Sequence, residues 1–308
     1  MASLLTNVAA LNVLHNLATT QRDLQDTQQQ VSSGLKVGNA SQNAAYWSIA
    51  TTMKSDNASL SAVKDGLALG SATIDVVNSA LTSAVDVVNQ IKAKLVTASE
   101  PGVDRSKIQT EITSLQQQLK SIGDSAVFSG QNWLSVDSSV LGYNAQKSII
   151  ASFSRDNSGV VQIGTIDIDT TNIRLYDANG GQGLIDKTRT SGATSQALST
   201  MDISALTDST ADRQTLSDYL KITDSVLSDI TAATSSIGAY KTRVSSQSTF
   251  VSSLMDSITT GVGSLVDADM NQESAKLQAL QVQQQLGVQS LSIANQNVQL
   301  ILKLFGGG

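Results

Sequence analysis

Apolar residues recur every seven positions along two long stretches of this sequence. The first stretch covers residues 42–99, and a second, shorter set lies between residues 213 and 268. The rows are Met53, Leu60, Leu67, Ile74, Leu81, Val88 and Leu95 in the first, and Ile230, Ile237, Val244, Val251 and Ile258 in the second. A heptad stripe held this long indicates a coiled-coil helix. Neither stripe can be buried by its own helix, so we expect the two stretches to pair as an intramolecular coiled coil.

The two ends of the chain also have helical spacing, but they carry almost no charge. Apart from His15, the first charged side chain is Arg22, and after Glu273 only Lys276 and Lys303 follow. A helix that faces water normally has a charged outer face. Here that face holds Gln, Asn, Ser and Thr, which favours helices that are covered by neighbouring copies in a self-assembling polymer.

Composition excludes several classes of function. The net charge is −6, so the chain lacks the basic stripe of a nucleic-acid-binding protein and the positive patch that attaches a protein to an anionic membrane. There is no cysteine, which excludes disulfides and thiolate metal sites. We expect no cleavable signal peptide, because the N-terminus has no basic residue before an apolar run, and no stretch is long enough to span a bilayer.

The centre of the chain changes from helical to strand-like spacing. Glu100-Pro101-Gly102 predicts a turn, followed by a helix over residues 104–122. Residues 148–153 and 160–163 flank an Asn/Gly-containing turn and predict a β-hairpin. Residues 186–212 are rich in Ser and Thr without a pattern, and we expect them to form a short, exposed segment.

Two distant blocks of sequence resemble the conserved ends of bacterial flagellins, most closely those of rhizobial soil alphaproteobacteria. The similar segments are Asn16–Thr20 (NLATT), Val31–Val37 (VSSGLKV), Asn43–Ala45 and Ile49–Ala50, then Ile237–Val244 (IGAYKTRV) and Leu291–Gln296 (LSIANQ). The blocks agree in order, in spacing and in distance from the termini. The likeness covers roughly residues 1–170 and 215–308.

The resemblance implies a mostly α fold, an elongated antiparallel α-helical coiled-coil bundle formed by the two chain ends, with a small central β-hairpin region. Residues 1–40 and 269–308 would be the helices of the inner tube of a filament. Residues 41–176 and 213–268 would form the outer-tube domain, and residues 177–212 a short variable surface segment. In this family the chain ends fold on assembly, which agrees with the nearly uncharged termini.

The resemblance also implies a function and partners. The protein would be a filament subunit for swimming motility, located in the extracellular flagellum and exported through the hollow conduit with its N-terminus intact. Its partners would be copies of itself, possibly sister flagellins, and an export chaperone, junction proteins and a cap protein. We expect the following polymer contacts: Leu4, Val8, Leu11, Leu14, Leu17, Leu24, Val31, Leu277, Leu280, Leu291, Val298, Ile301 and Phe305.

Some positions depart from the family pattern in segments that immune receptors recognise. Gln30 stands where a basic residue is usual, Gln42 and Asn43 replace paired acidic residues, and Tyr46 replaces Gly. Gln90 stands where many flagellins have an Arg that is important for the animal receptor. The resemblance therefore implies weak recognition by both the plant and the animal receptor.

Neither a catalytic site nor a cofactor or metal site is indicated. His15 is the single histidine and has no partner residues at metal-ligand or acid–base spacing. Two alternatives to the filament subunit remain. One is a hook–filament junction protein, which shares the terminal pattern, and the other is a secreted, membrane-active helical protein, which would need a basic face or a strongly hydrophobic hairpin.

Overall fold

Five α-helices account for most of the chain. The computed structural model describes residues 7–306 apart from Asn157, with the side chains of residues 297–306 left out. The helices are α1 (Val8–Ser33), α2 (Ala44–Ala98), α3 (Arg105–Ser125), α4 (Thr210–Val266) and α5 (Met270–Gly306). The predicted mostly α fold is confirmed.

Polar side chains and one left-handed glycine mark the helix ends. The side chain of Asn7 accepts a hydrogen bond from the backbone of Ala10 and caps α1, and Asp104 does the same for Lys107 at the start of α3. Gly34 ends α1 with φ 71°, a left-handed conformation that glycine adopts without steric cost. Asp269, directly before α5, accepts from the backbone N–H of Asn271 at 2.9 Å.

Antiparallel pairs make up most of the β structure between α3 and α4. The strands are β1 (Val127–Phe128), β2 (Gln131–Asn132), β3 (Ser135–Val136), β4 (Gln146–Arg155), β5 (Val161–Asp169), β6 (Tyr176–Asp177), β7 (Arg189–Ser191) and β8 (Thr194–Gln196). β4 and β5 form the predicted hairpin, which is longer than its sequence pattern indicated. β1 pairs with β2 and β7 with β8, whereas β3 pairs with β6 in parallel.

The chain divides into two compact units. Unit 1 contains residues 1–58 and 255–308, and unit 2 contains residues 59–254. α2 and α4 each contribute to both units, so the boundary lies inside these helices. The predicted boundaries at residues 40 and 269 follow the helix ends instead, because sequence spacing marks where a helix stops and not where its packing partners change.

Unit 2 has a continuous apolar core along α2 and α4. The heptad residues of this unit are almost fully shielded from solvent: Leu60, Leu67, Ile74, Leu81, Val88 and Leu95 on α2, and Ile230, Ile237, Val244 and Val251 on α4. Ion pairs Asp75–Lys241 (2.6 Å) and Lys92–Asp224 (2.6 Å) join the two helices. From Asp75 to Lys92 the chain runs forward along α2, whereas their partners Lys241 and Asp224 follow one another in reverse order along α4. The two helices are therefore antiparallel here.

The hairpin packs on both long helices at Gly70 and Gln247, which stand three positions after the heptad residues Leu67 and Val244. A Cβ atom on Gly70 of α2 would lie 2.6 Å from the Ile149 side chain, so glycine is required for this close approach. The ladder between β4 and β5 shifts register between Ile150 and Ser152, which leaves Ala151 as a bulge residue. The side chain of Gln247 on α4 donates to the carbonyl oxygen of Ala151 at 2.9 Å, which satisfies this acceptor.

The segment that we expected to be exposed contributes to the core of unit 2. Ile185, Leu198 and Ile203 are fully buried, so the prediction of a surface segment over residues 177–212 is wrong for these side chains. Gln116 of α3 donates to the Leu198 carbonyl at 2.9 Å, and Gln109 accepts from the Ile203 backbone N–H at 2.9 Å. The buried residues are spaced irregularly, so no periodicity in the sequence reveals them.

Candidate assembly surface

In unit 1 the two terminal helices lie side by side and antiparallel. Asn7 donates to the Ala294 carbonyl at 3.1 Å, and Gln284 donates to the side-chain oxygen of Gln21 at 2.6 Å. Between these contacts, the Leu17 side chain packs over Gly287, where a Cβ atom would lie only 2.7 Å away. Polar groups and a glycine therefore lie among the apolar contacts between the two helices.

The segment after α1 and the segment before α5 are hydrogen-bonded to each other. Leu35 and Asp267 form an isolated antiparallel bridge, and the backbone N–H of Lys36 donates to the Val266 carbonyl at 2.7 Å. Below them lies a small apolar cluster of Val37, Ala50, Val262 and Val266, with Leu35, Met53, Ile258 and Leu265 half-buried against it. This cluster holds together the two segments that connect α1 to α2 and α4 to α5.

α1 leaves most of its apolar surface uncovered within the chain. Only three of its 26 residues are buried, namely Ala10, Leu24 and Thr27. Val8, Leu11 and Leu14 expose 62 %, 53 % and 46 % of their surface. A helix with so few buried residues has little tertiary packing to stabilise it, although packing supplies most helical stability in proteins.

Further exposed apolar side chains lie on α5 and on the first turns of α2. On α5 they are Val282, Leu286, Val288 and Ile293, and on α2 they are Tyr46, Trp47 and Ile49. Scattered exposed apolar residues are ordinary, but a run of them along two paired helices indicates an interaction surface. We call the exposed apolar residues of α1 and α5 in unit 1 the terminal surface.

The predicted polymer contacts fall into four groups. Val8, Leu11 and Leu14 are exposed, whereas Leu24 and Leu280 are buried within the chain. Leu17, Val31, Leu277 and Leu291 are half-buried. Leu4 and the side chains of Val298, Ile301 and Phe305 lie outside the described residues.

Leu24 and Leu280 are already covered by their own chain, so they are unavailable for contacts between copies. Val282, Leu286, Val288 and Ile293 are exposed on α5 although they are not among the predicted contacts. Leu286 and Ile293 are seven residues apart on α5, and that spacing is the signal that could have identified them.

The residues that depart from the family pattern at the start of α2 have structural roles. The side chain of Gln42 accepts from the Gly38 N–H at 2.6 Å, and that of Asn43 accepts from the Tyr46 N–H at 3.1 Å, which caps α2. Gln30 donates to the Lys36 carbonyl at 3.4 Å, and its own side-chain oxygen is buried without a partner. Gln90 is exposed in unit 2.

Titratable groups with shifted pKa values lie in unit 2 and are explained by packing. Burial raises the pKa of Asp186, whose carboxylate accepts from the backbone N–H groups of Asp177 and Gly183 at 2.8 and 2.6 Å. A hydrogen bond from Arg105 lowers the pKa of Asp208. Among the residues that the structure describes, no three acidic, His or Cys side chains converge as metal ligands.

His15 lies on the exposed polar side of α1, beside Asn12, Asn16, Thr19 and Thr20. Its surroundings contain amides and hydroxyls, and no carboxylate is among them. This arrangement gives a polar stripe next to the apolar residues of the same helix. In the described part of the chain, no helix combines the length and the apolar character that crossing a bilayer requires.

Comparison with known proteins identifies both ends of the chain. The bacterial flagellin N-terminal helical region matches residues 4–138, and the bacterial flagellin C-terminal helical region matches residues 220–305. Flagellin C of Rhizobium meliloti (strain 1021) is 45 % identical over 322 residues, which cover 99 % of each chain. Flagellin A of Rhizobium meliloti is 39 % identical over 396 residues, covering 99 % of this chain and 100 % of its own. A flagellin of Brucella melitensis is 40 % identical over 308 residues, the full length of both chains.

Proposed function

The chain belongs to the bacterial flagellins, the structural subunits of the extracellular flagellar filament, and from that premise we propose that the terminal surface joins one copy to the next. The observation that carries this proposal is the exposure of Val8, Leu11 and Leu14 on a helix that lacks charge before Arg22. Covering such side chains releases water without desolvating charge, and each leucine contributes on the order of 1–3 kcal/mol when it becomes fully buried.

The same reasoning assigns roles to the segments. Residues 1–40 and 269–308 are the proposed inner-tube helices, and residues 41–176 with 213–268 are the proposed outer-tube domain. The heptad residues of α2 and α4 in unit 2 hold the subunit together internally and are unavailable to neighbours because they are buried. The work of the protein is therefore mechanical, with no catalysis.

Truncation of either end tests this proposal. Deleting residues 1–20 removes Val8, Leu11 and Leu14 from the terminal surface, and deleting residues 290–308 removes Ile293 and the end of α5. Each truncated chain should be a soluble subunit that does not elongate. The purified full-length chain, concentrated under the same conditions, should form long filaments in negative-stain electron micrographs. Circular dichroism of each truncated chain should show that α2 and α4 remain helical.

Two results would contradict the proposal. One is filaments of normal length from both truncated chains. The other is short, non-growing assemblies from the full-length chain, which would favour the hook–filament junction protein.

Export and assembly would involve other proteins of the flagellum. We expect a chaperone that covers the terminal surface before export, and junction and cap proteins that contact it at the two ends of the filament. Export through the filament conduit leaves the N-terminus uncut. Mass spectrometry of the secreted protein should therefore find the intact N-terminal peptide, and a shortened one would show that a leader is removed.

Receptor recognition of this flagellin should be weak. In the segment 29–50, Gln42 and Asn43 are neutral amides, so neither offers a carboxylate to a receptor, and their side-chain oxygens accept from backbone N–H groups. A synthetic peptide of residues 29–50 should elicit a small response in plant tissue. A matched peptide with Gln42→Asp and Asn43→Asp should elicit a larger one, and equal responses would refute the role of these two positions.

A further inference from the structure

A helical filament of identical subunits needs two different surfaces on every copy. When the same patch meets itself, the assembly closes as a dimer, whereas a heterologous contact between two complementary patches can repeat without limit. A protruding apolar group and an apolar groove that can receive it form one such pair of patches. Both are present on unit 2.

The protruding group is Leu141, whose side chain is completely exposed, with a relative accessibility of 102 %. It lies at the tip of an ordered turn, in which the Tyr143 N–H donates to the Val140 carbonyl at 3.0 Å. The base of the turn is fixed because the Ser138 N–H donates to the carboxylate of Asp177 at 2.9 Å, and Asp177 is itself buried. A leucine held out on a fixed turn loses little conformational entropy when it binds.

The empty groove lies between α2, the β1–β2 turn and the hairpin. Its cavity of about 240 Å³ is bounded by Leu69, Phe128, Trp133 and Ile150, with Gly66 among the residues that line it. This volume is below the roughly 300–1,000 Å³ of pockets for drug-sized ligands. It suits one or two aliphatic side chains, and Leu69 and Ile150 remain 54 % and 45 % exposed beside it.

The turn and the groove are also matched in charge. The groove lining contains no Asp, Glu, Lys or Arg, and neither does the turn from Ser138 to Tyr143. Bringing them together would bury apolar surface without desolvating an ion, which is the arrangement found in the centre of stable interfaces. A partner with a charged contact group would have to desolvate that charge in a groove that cannot pair with it.

We propose that Leu141 of one copy inserts into the groove beside Leu69 of a neighbouring copy in the filament. This contact lies in unit 2, is separate from the terminal surface, and rests on the proposed function, since only a polymer repeats it. Its occupant is a second copy of this chain. The contact adds to the terminal surface and gives the polymer a directional contact between unlike patches.

The absence of cysteine from the sequence allows a direct test of contact between copies. The variant with both Leu141→Cys and Leu69→Cys is assembled under reducing conditions, checked for filaments by electron microscopy, and then oxidised. A disulfide requires Cβ atoms about 3.5–4.5 Å apart, so it reports direct contact. A ladder of covalent oligomers is expected on a non-reducing gel, while each single variant should stay monomeric.

A matched control carries Leu141→Cys together with Val96→Cys. Val96 is also on α2 and is 51 % exposed, but it does not line the groove. This control should give no ladder. Filaments of normal length without a ladder in the first variant, or an equal ladder in the control, would overturn the contact.

A second measurement does not depend on crosslinking. Leu141→Asp should raise the critical concentration for elongation about tenfold or more, the fold-change expected when burial of one leucine is lost. Val96→Asp should change it by less than about twofold, the small effect usual for a surface position that makes no contact. Circular dichroism checks that both variants are folded, and elongation of Leu141→Asp at the unaltered rate and concentration would refute the contact. If the unaltered chain itself forms no filaments, the proposed function fails as well, so the two failures are distinguishable.

Discussion

The two units of this molecule differ in how far the apolar side chains of their long helices are buried. In unit 2 the heptad side chains of α2 and α4 are buried, and ion pairs such as Lys92–Asp224 and Lys241–Asp75 join the helices at the surface. In unit 1, α1 buries three of its 26 residues and presents exposed leucines next to amides and hydroxyls. One unit is complete within the chain, whereas we propose that the other is completed by neighbouring copies.

The difference shows that a heptad pattern states only that a helix face will be covered. In unit 2 the cover is supplied by the same chain, so mutations there should change the free energy of unfolding. In unit 1 we propose that other copies supply it, so mutations there should change assembly at constant subunit stability. The following variants are chosen to separate these two effects.

The largest effect is expected from charges on the terminal surface. Leu11→Asp with Leu14→Asp should abolish filament growth at any practical concentration, because burying an unpaired carboxylate costs several kcal/mol for each ion. The urea midpoint of unit 2 should be unchanged. Sedimentation of polymer and electron microscopy provide the measurement.

The matched control for this variant is Asn12→Asp with Asn16→Asp on the polar stripe of the same helix. It adds the same charge in side chains of nearly the same shape, beside the apolar residues. Polymerisation should be weakened and not abolished. Equal loss in both variants would mean that charge alone, and not the apolar surface, controls assembly.

The next largest effect is expected at Arg105 in unit 2. This buried side chain donates to the Ala98 carbonyl at 3.0 Å and pairs with Asp208 at 2.6 Å, which ties the end of α2 to the segment before α4. Arg105→Ala leaves a buried carbonyl without its donor and should lower the free energy of unfolding by about 2–4 kcal/mol. Urea denaturation followed by circular dichroism measures it.

Lys107→Ala provides the comparison for Arg105. Lys107 pairs with Asp104 at 3.5 Å, but its side chain is 85 % exposed, so the loss should be below about 0.5 kcal/mol. If the two variants unfold at the same urea concentration, Arg105 and its ion pair with Asp208 do not stabilise unit 2.

Sequence periodicity predicted the long helices well because their residues repeat without interruption. It also located the hairpin, since Ile149 and Ile166 belong to alternating strands joined by a turn. It could not explain Gly70 or Gln247, which stand three positions after the heptad residues Leu67 and Val244. Their reasons are tertiary: Gly70 makes room for the Ile149 side chain, and Gln247 satisfies the bulge carbonyl.

The assembly surface was predictable in kind but not residue by residue. The scarcity of charge indicated that the terminal helices are covered, but the spacing of Leu24 and Leu280 is the same whether the cover comes from the same chain or from another. The structure places both inside the chain. The irregular segment from Ile185 to Ile203 shows the opposite limit, because buried side chains without a period give no signal in a sequence.

Substitution of Gly70 by alanine should have a smaller effect on the free energy of unfolding. The sign of that effect distinguishes tight packing from helix propensity. Gly70→Ala places a methyl group 2.6 Å from Ile149 and should destabilise unit 2 by about 1–3 kcal/mol through overpacking. Gly238→Ala on α4 has no neighbouring atom within 4 Å and should stabilise it by about 0.5–1 kcal/mol. Chemical denaturation of both variants measures the difference, and a stabilising Gly70→Ala would show that the hairpin is not held against α2 as described.

The smallest effect is the response of unit 2 to acid. The hydrogen bond from Arg105 holds the pKa of Asp208 below its ordinary value, and the hydrogen bond from Lys221 does the same for Asp218. A lowered pKa gives stability that is fully present above the unfolded value of about 3.9 and is lost as the pH falls through the folded value. Burial raises the pKa of Asp186, so protonation of that carboxyl stabilises the folded state as the pH falls. This effect is opposite in sign to that of Asp208 and occurs at higher pH.

The urea midpoint of unit 2 should therefore stay level or rise slightly as the pH falls from 7 to about 4, and should drop below that value. Asp208→Asn should lower the midpoint at pH 7 and reduce the drop in acid, because the ion pair is already lost. Asp186→Asn should remove the slight rise. An Asp208→Asn variant that loses as much stability in acid as the unaltered chain would show that this pair does not contribute to the acid response. The acid dependence of unit 2 would then have to come from its other carboxylates, beginning with Asp218, whose lowered pKa predicts a loss of the same sign.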